Sequence, residues 1–407
     1  MPTALSHIRV LDLSRVLAGP WCSQMLADFG AEVIKIERPG AGDDTRGWGP
    51  PWLKDENGDD TSEAAYYLAA NRGKKSVTLD ISKPEGQAIV RRLAQESDIL
   101  LENYKLGDLK RYGLSYEDLK AINPRLIYCS ITGFGQTGPY SHRPGYDYII
   151  QGMGGLMSIT GERDDLPGGG PQKVGVAMAD LTTGMYATIA VLTALAWRET
   201  SGEGQYIDLA LLDTQVSLLA NMNMNYLTSG VVPKRAGNAH ANIVPYQVFA
   251  TKDGHIIVAV GNEGQYAKFC QLMSRPDLAE DVRFKTNAAR VTNRQILVPI
   301  LEEILKQRSS QEWLTSLESI GVPSGPINNI GQVFEDPQIK HRKMKVEAPH
   351  PLGGTVPMVA NPIKFSATPI DYAKAPPTLG QHTREVLREV LGMNPAEIET
   401  LIINKIV

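Results

Sequence analysis

One acidic residue stands out for the chemistry it could do. Between Lys173 and Arg198 the chain reads V-G-V-A-M-A-D-L-T-T-G-M-Y-A-T-I-A-V-L-T-A-L-A-W, and Asp180 is its only charged side chain. A carboxylate among small and apolar residues costs on the order of several kcal/mol unless something compensates it. A helix terminus, a cationic partner or a catalytic role would each account for it. Residues 181–198 have the length and composition of a buried helix, and Asp is favoured just ahead of one, so the spacing predicts Asp180 as an N-cap. Backbone N–H groups and the helix dipole there would hold the side chain ionised, and an ionised, poorly hydrated carboxylate is a nucleophile.

A second set of residues could meet negative charge. Arg38, Arg72, Lys74, Lys75 and Arg111 flank expected strand ends, where they read either as a solvated basic face or as partners for a cofactor with several phosphates. Spacing does not choose between these. Gly261, Asn262, Glu263, Gly264 and Gln265 follow an expected strand, either as ordinary loop punctuation or as a mobile cover over a reactive site. His142, His240 and His382 stand at no metal-ligand spacing, and Cys22, Cys129 and Cys270 form no C-x-x-C pair. Neither a metal site nor a redox motif is expected, and the thiols read as reduced and mostly buried.

The elements that must position these residues alternate. Residues 8–13, 32–36, 76–81, 98–102 and 126–132 read as strands, and 22–29, 84–96 and 116–122 as helices. This predicts an α/β fold with a doubly wound parallel sheet whose ligands sit beyond the carboxyl ends of the strands. The turn after the first strand, Ser14-Arg15-Val16-Leu17-Ala18-Gly19-Pro20, lacks G-x-G-x-x-G, which argues against a dinucleotide. From residue 216 the character changes. A hairpin is expected over 246–250 and 255–260 around Asp253-Gly254, then helices over 293–306 and 310–319, giving a smaller α+β domain over 216–330. Residues 1–215 and 331–407 flank it, with a tail strand expected at 363–365.

Composition limits the function. With 407 residues there is chain for two or three domains and a large core, and a formal charge of -4 argues against nucleic acid. The start, Met-Pro-Thr-Ala-Leu-Ser-His, lacks signal-peptide and transit character, and no apolar run reaches a membrane span, so a cytoplasmic protein is expected.

Several blocks in order resemble the family III coenzyme A transferases along essentially the whole chain. They are R-V-L-A-G-P (15–20), G-A-E-V-I-K-I-E-R-P-G-A-G-D-D-T-R (30–46), N-R-G-K-K-S (71–76), E-N-Y (102–104), S-I-T-G-F-G-Q-T-G-P (130–139), the Asp180 block, P-Y-Q-V-F-A-T-K-D-G (245–254) and L-G-Q-H-T (379–383). The resemblance implies a Rossmann-like large domain made from both chain ends, a small domain between, and an interlocked homodimer. It implies Asp180 as the nucleophile, with Arg15, Val16, Ala18, Arg38, Lys74, Asn103, Tyr104 and Arg111 contacting CoA. CoA and acyl-CoA would then be substrates, with no tightly bound cofactor. The expected reaction moves CoA from an acyl-CoA, succinyl-CoA by resemblance, to a dicarboxylic acid such as glutarate, through an aspartyl anhydride and an aspartyl thioester.

Departures narrow the choice. Gly145-Tyr146-Asp147 carries tyrosine where the related α-methylacyl-CoA racemases carry a histidine base, and Leu17 stands where the formyl-CoA:oxalate branch has glutamine. Racemisation or simple acyl-CoA binding remain the alternatives. Arg46, Arg235 and His240 are the loop positions expected to grip a distal carboxylate, beside Tyr146 and Asp147.

Overall fold

The computed structural model describes residues 3–407; Met1 and Pro2, which open the start read above, lie outside the described residues. The chain divides into two compact units.

The first unit takes the residues up to Leu156, then Val174–Met224 and Pro337–Val407. Its centre is a parallel sheet of β1 (Arg9–Asp12), β2 (Glu32–Glu37), β3 (Lys74–Thr78), β4 (Ile99–Glu102), β5 (Ile127–Thr132) and β6 (Tyr206–Ala210), in the order β3-β2-β1-β4-β5-β6. Strand order reverses between β1 and β4, which opens a crevice at their carboxyl ends.

Side chains alternate across the sheet as the pleat requires. Leu11, Ile34, Ile36, Val77, Leu100 and Tyr128 pack against α2 (Pro84–Gln95) and the helices Thr383–Glu389 and Pro395–Ile403. Val10, Val33, Ile99, Leu101, Ile127 and Cys129 face α1 (Ala18–Asp28), α3 (Asp147–Met153) and α4 (Met178–Ser201). Both faces of the sheet are therefore covered, which is why its central strands read as nearly continuous apolar runs.

α4 is 24 residues long, long and apolar enough by length and composition to cross a membrane, contrary to the expectation that no run reaches that length. One face of it is instead buried on the sheet and on α1. The contact depends on Gly184: a Cβ there would lie 2.7 Å from the Ala18 carbonyl oxygen and 2.9 Å from Trp21 Cβ.

The second unit, Met157–Lys173 with Asn225–Asp336, has an antiparallel sheet of Ser324–Pro326, His255–Ala259 and Tyr246–Ala250. Helices Glu263–Leu272, Arg294–Leu305 and Ser310–Ser319 enclose a core of Phe249, Ile256, Val258, Phe269, Leu301 and Trp313.

Local differences from the sequence reading have physical causes. α1 begins at Ala18 rather than residue 22, because Pro20 sits in the first turn, where its missing N–H has no partner to lose. β6 escaped the pattern because it is a partly exposed edge strand with Asp208 at its centre. Residues 363–365 form no strand, and the Ile363 N–H donates to the Asn361 side chain instead.

Gly184→Ala is expected to force α4 away from the backbone of α1 and to lower stability by about 1–3 kcal/mol, the scale of overpacking in a close contact. A urea midpoint equal to the parent's would show that the contact is not tight.

Candidate active site

The crevice between β1 and β4 opens into a cavity of about 700 Å³ within the first unit. Arg15, Val16, Leu17 and Ala18 line it from the turn between β1 and α1, Arg38 from the end of β2, and Asn103 and Tyr104 from the end of β4. Tyr146 and Asp180 close another side. Sequence-distant residues meet here because parallel strands deliver all their carboxyl ends to one edge. Asn103 ties two walls together: its side chain accepts from the Arg15 N–H at 2.9 Å and donates to the Arg15 carbonyl at 2.7 Å.

Asp180 lies in the first turn of α4 but is not its cap. Ala177 holds the N-cap position without any side-chain bond. Asp147, at the start of α3, reaches over instead and accepts from the Ala179 N–H at 2.7 Å and the Asp180 N–H at 3.3 Å. Gln151, one turn on, donates to Asp147 at 2.7 Å and holds it in place. The expected N-cap at Asp180 is thus corrected, and with it the expected ionisation. The Asp180 carboxyl is not solvated by its own helix N-terminus; burial, and then the neighbouring Asp147, push it up to about 7.

Other cavity carboxylates differ from it. Asp43 pairs with Lys35, Glu37 with Arg46, Asp44 with Arg15, and Asp108 with Arg111. Among the described residues no cation pairs with Asp180. Tyr66, which sequence reasoning missed, packs edge-on against Trp48 at 5.0 Å between ring centres, and its hydroxyl is held protonated by burial and then by Asp180. A lone tyrosine beside a tyrosine in an A-Y-Y-L run gave no signal of this.

The remaining expected site residues lie elsewhere. Arg46 is not an open loop cation: it is buried against Glu37, Glu63 and the Pro377 carbonyl, with its guanidinium 3.7 Å from the Tyr67 ring centre. Arg72 forms a buried two-pronged pair with Asp28. Lys74 is fully buried, donating to Asn71 and the Pro20 carbonyl beside Asp12, and burial lowers its ammonium to about 8. Lys75 bridges Glu32 and Glu385 at the sheet edge. Arg111 is exposed and lies over Tyr112, a cavity residue.

Two expected groups belong to the second unit. Arg235 is engaged by the carbonyls of Ser158 and Glu162 and by the Asp164 carboxylate, and the His240 ring packs on Tyr246. The glycine-flanked segment is no free loop. Asn262 caps the helix Glu263–Leu272 through the Gln265 N–H, Gln265 returns to the Gly261 N–H, and Glu263 accepts from the Asn287 N–H.

The profile of CoA-transferase family III matches residues 5–383. The chain belongs to that family and is a CoA-transferase. It is 51% identical over 386 residues to the succinate–glutarate CoA-transferase of Agrobacterium fabrum, covering 95% of each chain. It is 45% identical to the succinyl-CoA:glutarate CoA-transferase of Homo sapiens over 98% of this chain and 88% of that one. Among solved structures, a CAIB/BAIF family protein from Brucella suis superposes with a TM-score of 0.84 at 51% identity, covering 96% of this chain and 100% of that one.

The raised Asp180 carboxyl makes stability depend on pH. Between its ordinary value of 3.8 and about 7 the folded chain keeps a proton that the unfolded chain has lost, so the contribution favours folding below pH 4 and is lost as pH rises through 7. Asp180→Asn is therefore expected to match the parent's stability at pH 4 and to exceed it at pH 8 by about 1–2 kcal/mol, a figure reduced for partial exposure. Equal gains at both values in thermal melts would contradict the burial of a charge at this position.

Proposed function

We propose that this enzyme transfers CoA from succinyl-CoA to glutarate or a closely similar dicarboxylate, with Asp180 as covalent nucleophile. The observation that carries the reading is the contrast among the cavity carboxylates. Glu37 and Asp43 are held below their ordinary range by Arg46 and Lys35 acting against burial, whereas Asp180 is pushed up by burial and then by the acid Asp147. A more basic carboxylate attacks a carbonyl carbon more readily, and near neutral pH a substantial share of it is ionised. The donor and acceptor come from the names of the relatives at 51% and 45% identity.

In this scheme an Asp180 carboxylate oxygen attacks the thioester carbonyl, the carbon–sulfur bond breaks, and CoA leaves as thiolate from a mixed anhydride. The thiolate attacks the aspartyl carbonyl and expels the donor acid as its carboxylate, leaving an aspartyl thioester. The acceptor carboxylate then runs both steps in reverse, and no net proton is taken up or released. Asp147 holds the start of α4 and raises the basicity of the attacking group. Arg15, Arg38 and Tyr104 line the cavity; in this reading the two guanidinium groups would meet the CoA phosphates and the Tyr104 ring its adenine.

A homodimer belongs to the same reading. α4 leaves Met185, Tyr186, Ile189 and Trp197 exposed, Ile189 by 60% and Trp197 by 56%, an apolar stripe suited to a second copy.

Incubation with succinyl-CoA and hydroxylamine should convert Asp180 to its hydroxamate, located by peptide mass mapping. Asp180→Ala should lower exchange by more than about 10³-fold while CoA binding is largely retained. An adduct on another residue, or turnover by the alanine variant, removes the nucleophile assignment. Asp147→Asn keeps the acceptor for the helix N–H groups and removes the like charge, so the acidic limb of the rate profile should move below pH 7; an unmoved limb would exclude Asp147 as its cause. Sedimentation at equilibrium should give twice the chain mass, and a monomer would reject the dimer.

A further inference from the structure

A fully buried ion pair lies in the wall of the cavity, outside the chemistry assigned above. Lys35 Nζ stands 2.9 Å from Asp43 Oδ2, with both side chains at 0% exposure. The two residues come from β2 and from the turn that follows it, yet both bond to the loop after β1. Lys35 donates to the Ser14 carbonyl at 2.8 Å, and both Asp43 oxygens accept from the Val16 N–H at 3.3 Å. Asp43 is itself fixed by the Thr45 N–H and hydroxyl, and its own N–H donates to Glu37.

What they hold is strained. Val16 has φ of 68°, a left-handed conformation that a β-branched residue adopts only at a cost. That conformation turns the chain so that Val16, Leu17 and Ala18 face the cavity and α1 begins there. Its neighbours have their own anchors, Ser14 on Asp12 and Arg15 on Asn103, and Leu17, the N-cap residue of α1, makes no side-chain cap bond, so the Val16 N–H relies on Asp43.

We propose that Lys35 and Asp43 are positioning residues for CoA recognition: their ion pair clamps residues 14–16 and keeps Val16 in the left-handed conformation that presents this loop to the cofactor. The inference rests on the reading of the cavity as the CoA site. Both side chains are fully buried and bonded to the backbone of residues 14–16, so they act through that loop. Groups facing Lys35 besides Asp43 are Asp12 and Glu37 as acids and Lys74 as a cation, and the acids together keep it protonated.

The test uses the full-length enzyme. Lys35→Met/Asp43→Ala removes both charges together, so no orphan charge is left in the core, and it deletes the acceptor of the Val16 N–H. Calorimetry should find CoA bound about tenfold more weakly, as expected when a buried donor loses its partner, with KM for acyl-CoA rising in step and KM for the acid unchanged. Lys35→Met/Asp43→Asn keeps a neutral acceptor and should stay within about threefold of the parent. Adding Val16→Gly to the alanine variant should recover much of the lost affinity, because glycine takes positive φ without help. A merely structural pair would change the melting temperature and show no such recovery.

Wild-type CoA affinity in the folded alanine variant, or no recovery on adding glycine, overturns the positioning role. If the alanine variant does not fold, hydrogen exchange on the parent reads the clamp directly: the Val16 amide should exchange slowly without CoA, and fast exchange overturns the proposal. A parent enzyme that fails to bind CoA would remove the cavity reading, and this inference with it. Binding by the parent and the alanine variant alike removes only the clamp.

Discussion

Two carboxylates compete for the start of one helix, and the chemistry of the cavity depends on which of them wins. Asp147 takes the N–H groups of Ala179 and Asp180, so the helix terminus that would have solvated Asp180 is already occupied. Asp180 is left half-buried at the cavity wall beside a like charge, and its basicity rises for that reason. The arrangement persists only because α4 cannot shift: Gly184 lets it lie against α1, and Asp147 is held by Gln151.

The sheet beneath obeys a related constraint. Along the face that meets α1 and α4, apolar residues give way to Asp12, Lys35 and Glu37 toward the carboxyl ends of β1 and β2, with Lys74 and Ser76 beside them on β3, all of them buried. Such a cluster is tolerable only when each charge is paired or hydrogen-bonded. Lys35 meets Asp43, Lys74 meets Asp12 and Asn71, and Glu37 accepts from Arg46, Ser76 and Tyr67. Several of the charges in the sequence are therefore internal framework. The cations left on the cavity wall are fewer, and they sit on the loops that the framework orients.

This explains which parts of the site were legible. The parallel sheet could be read because buried strands such as β4 and β5 are short apolar runs between turn signals, and the alternation with helices such as α2 fixes their direction. Asp180 could be read because one charge in a long apolar helix is conspicuous. Arg46, Arg72 and Lys74 were misplaced as candidate ligand contacts because a basic residue near a strand end looks the same in sequence whether its partner is a phosphate or a buried acid. Lys35 and Asp43 gave no signal for the same reason, since their partners are backbone groups of a loop some twenty residues away along the chain.

The sequence by itself determined the order of strands and helices, the family, and the identity of the isolated acid, because periodicity, turn residues and a charge out of place are local properties. The tertiary structure decided how acidic that residue is, which cations are free to meet a ligand, and what holds Val16 in an unfavourable conformation. Those are properties of distance and burial, and a chain acquires them only when strands far apart in sequence bring their ends to one edge.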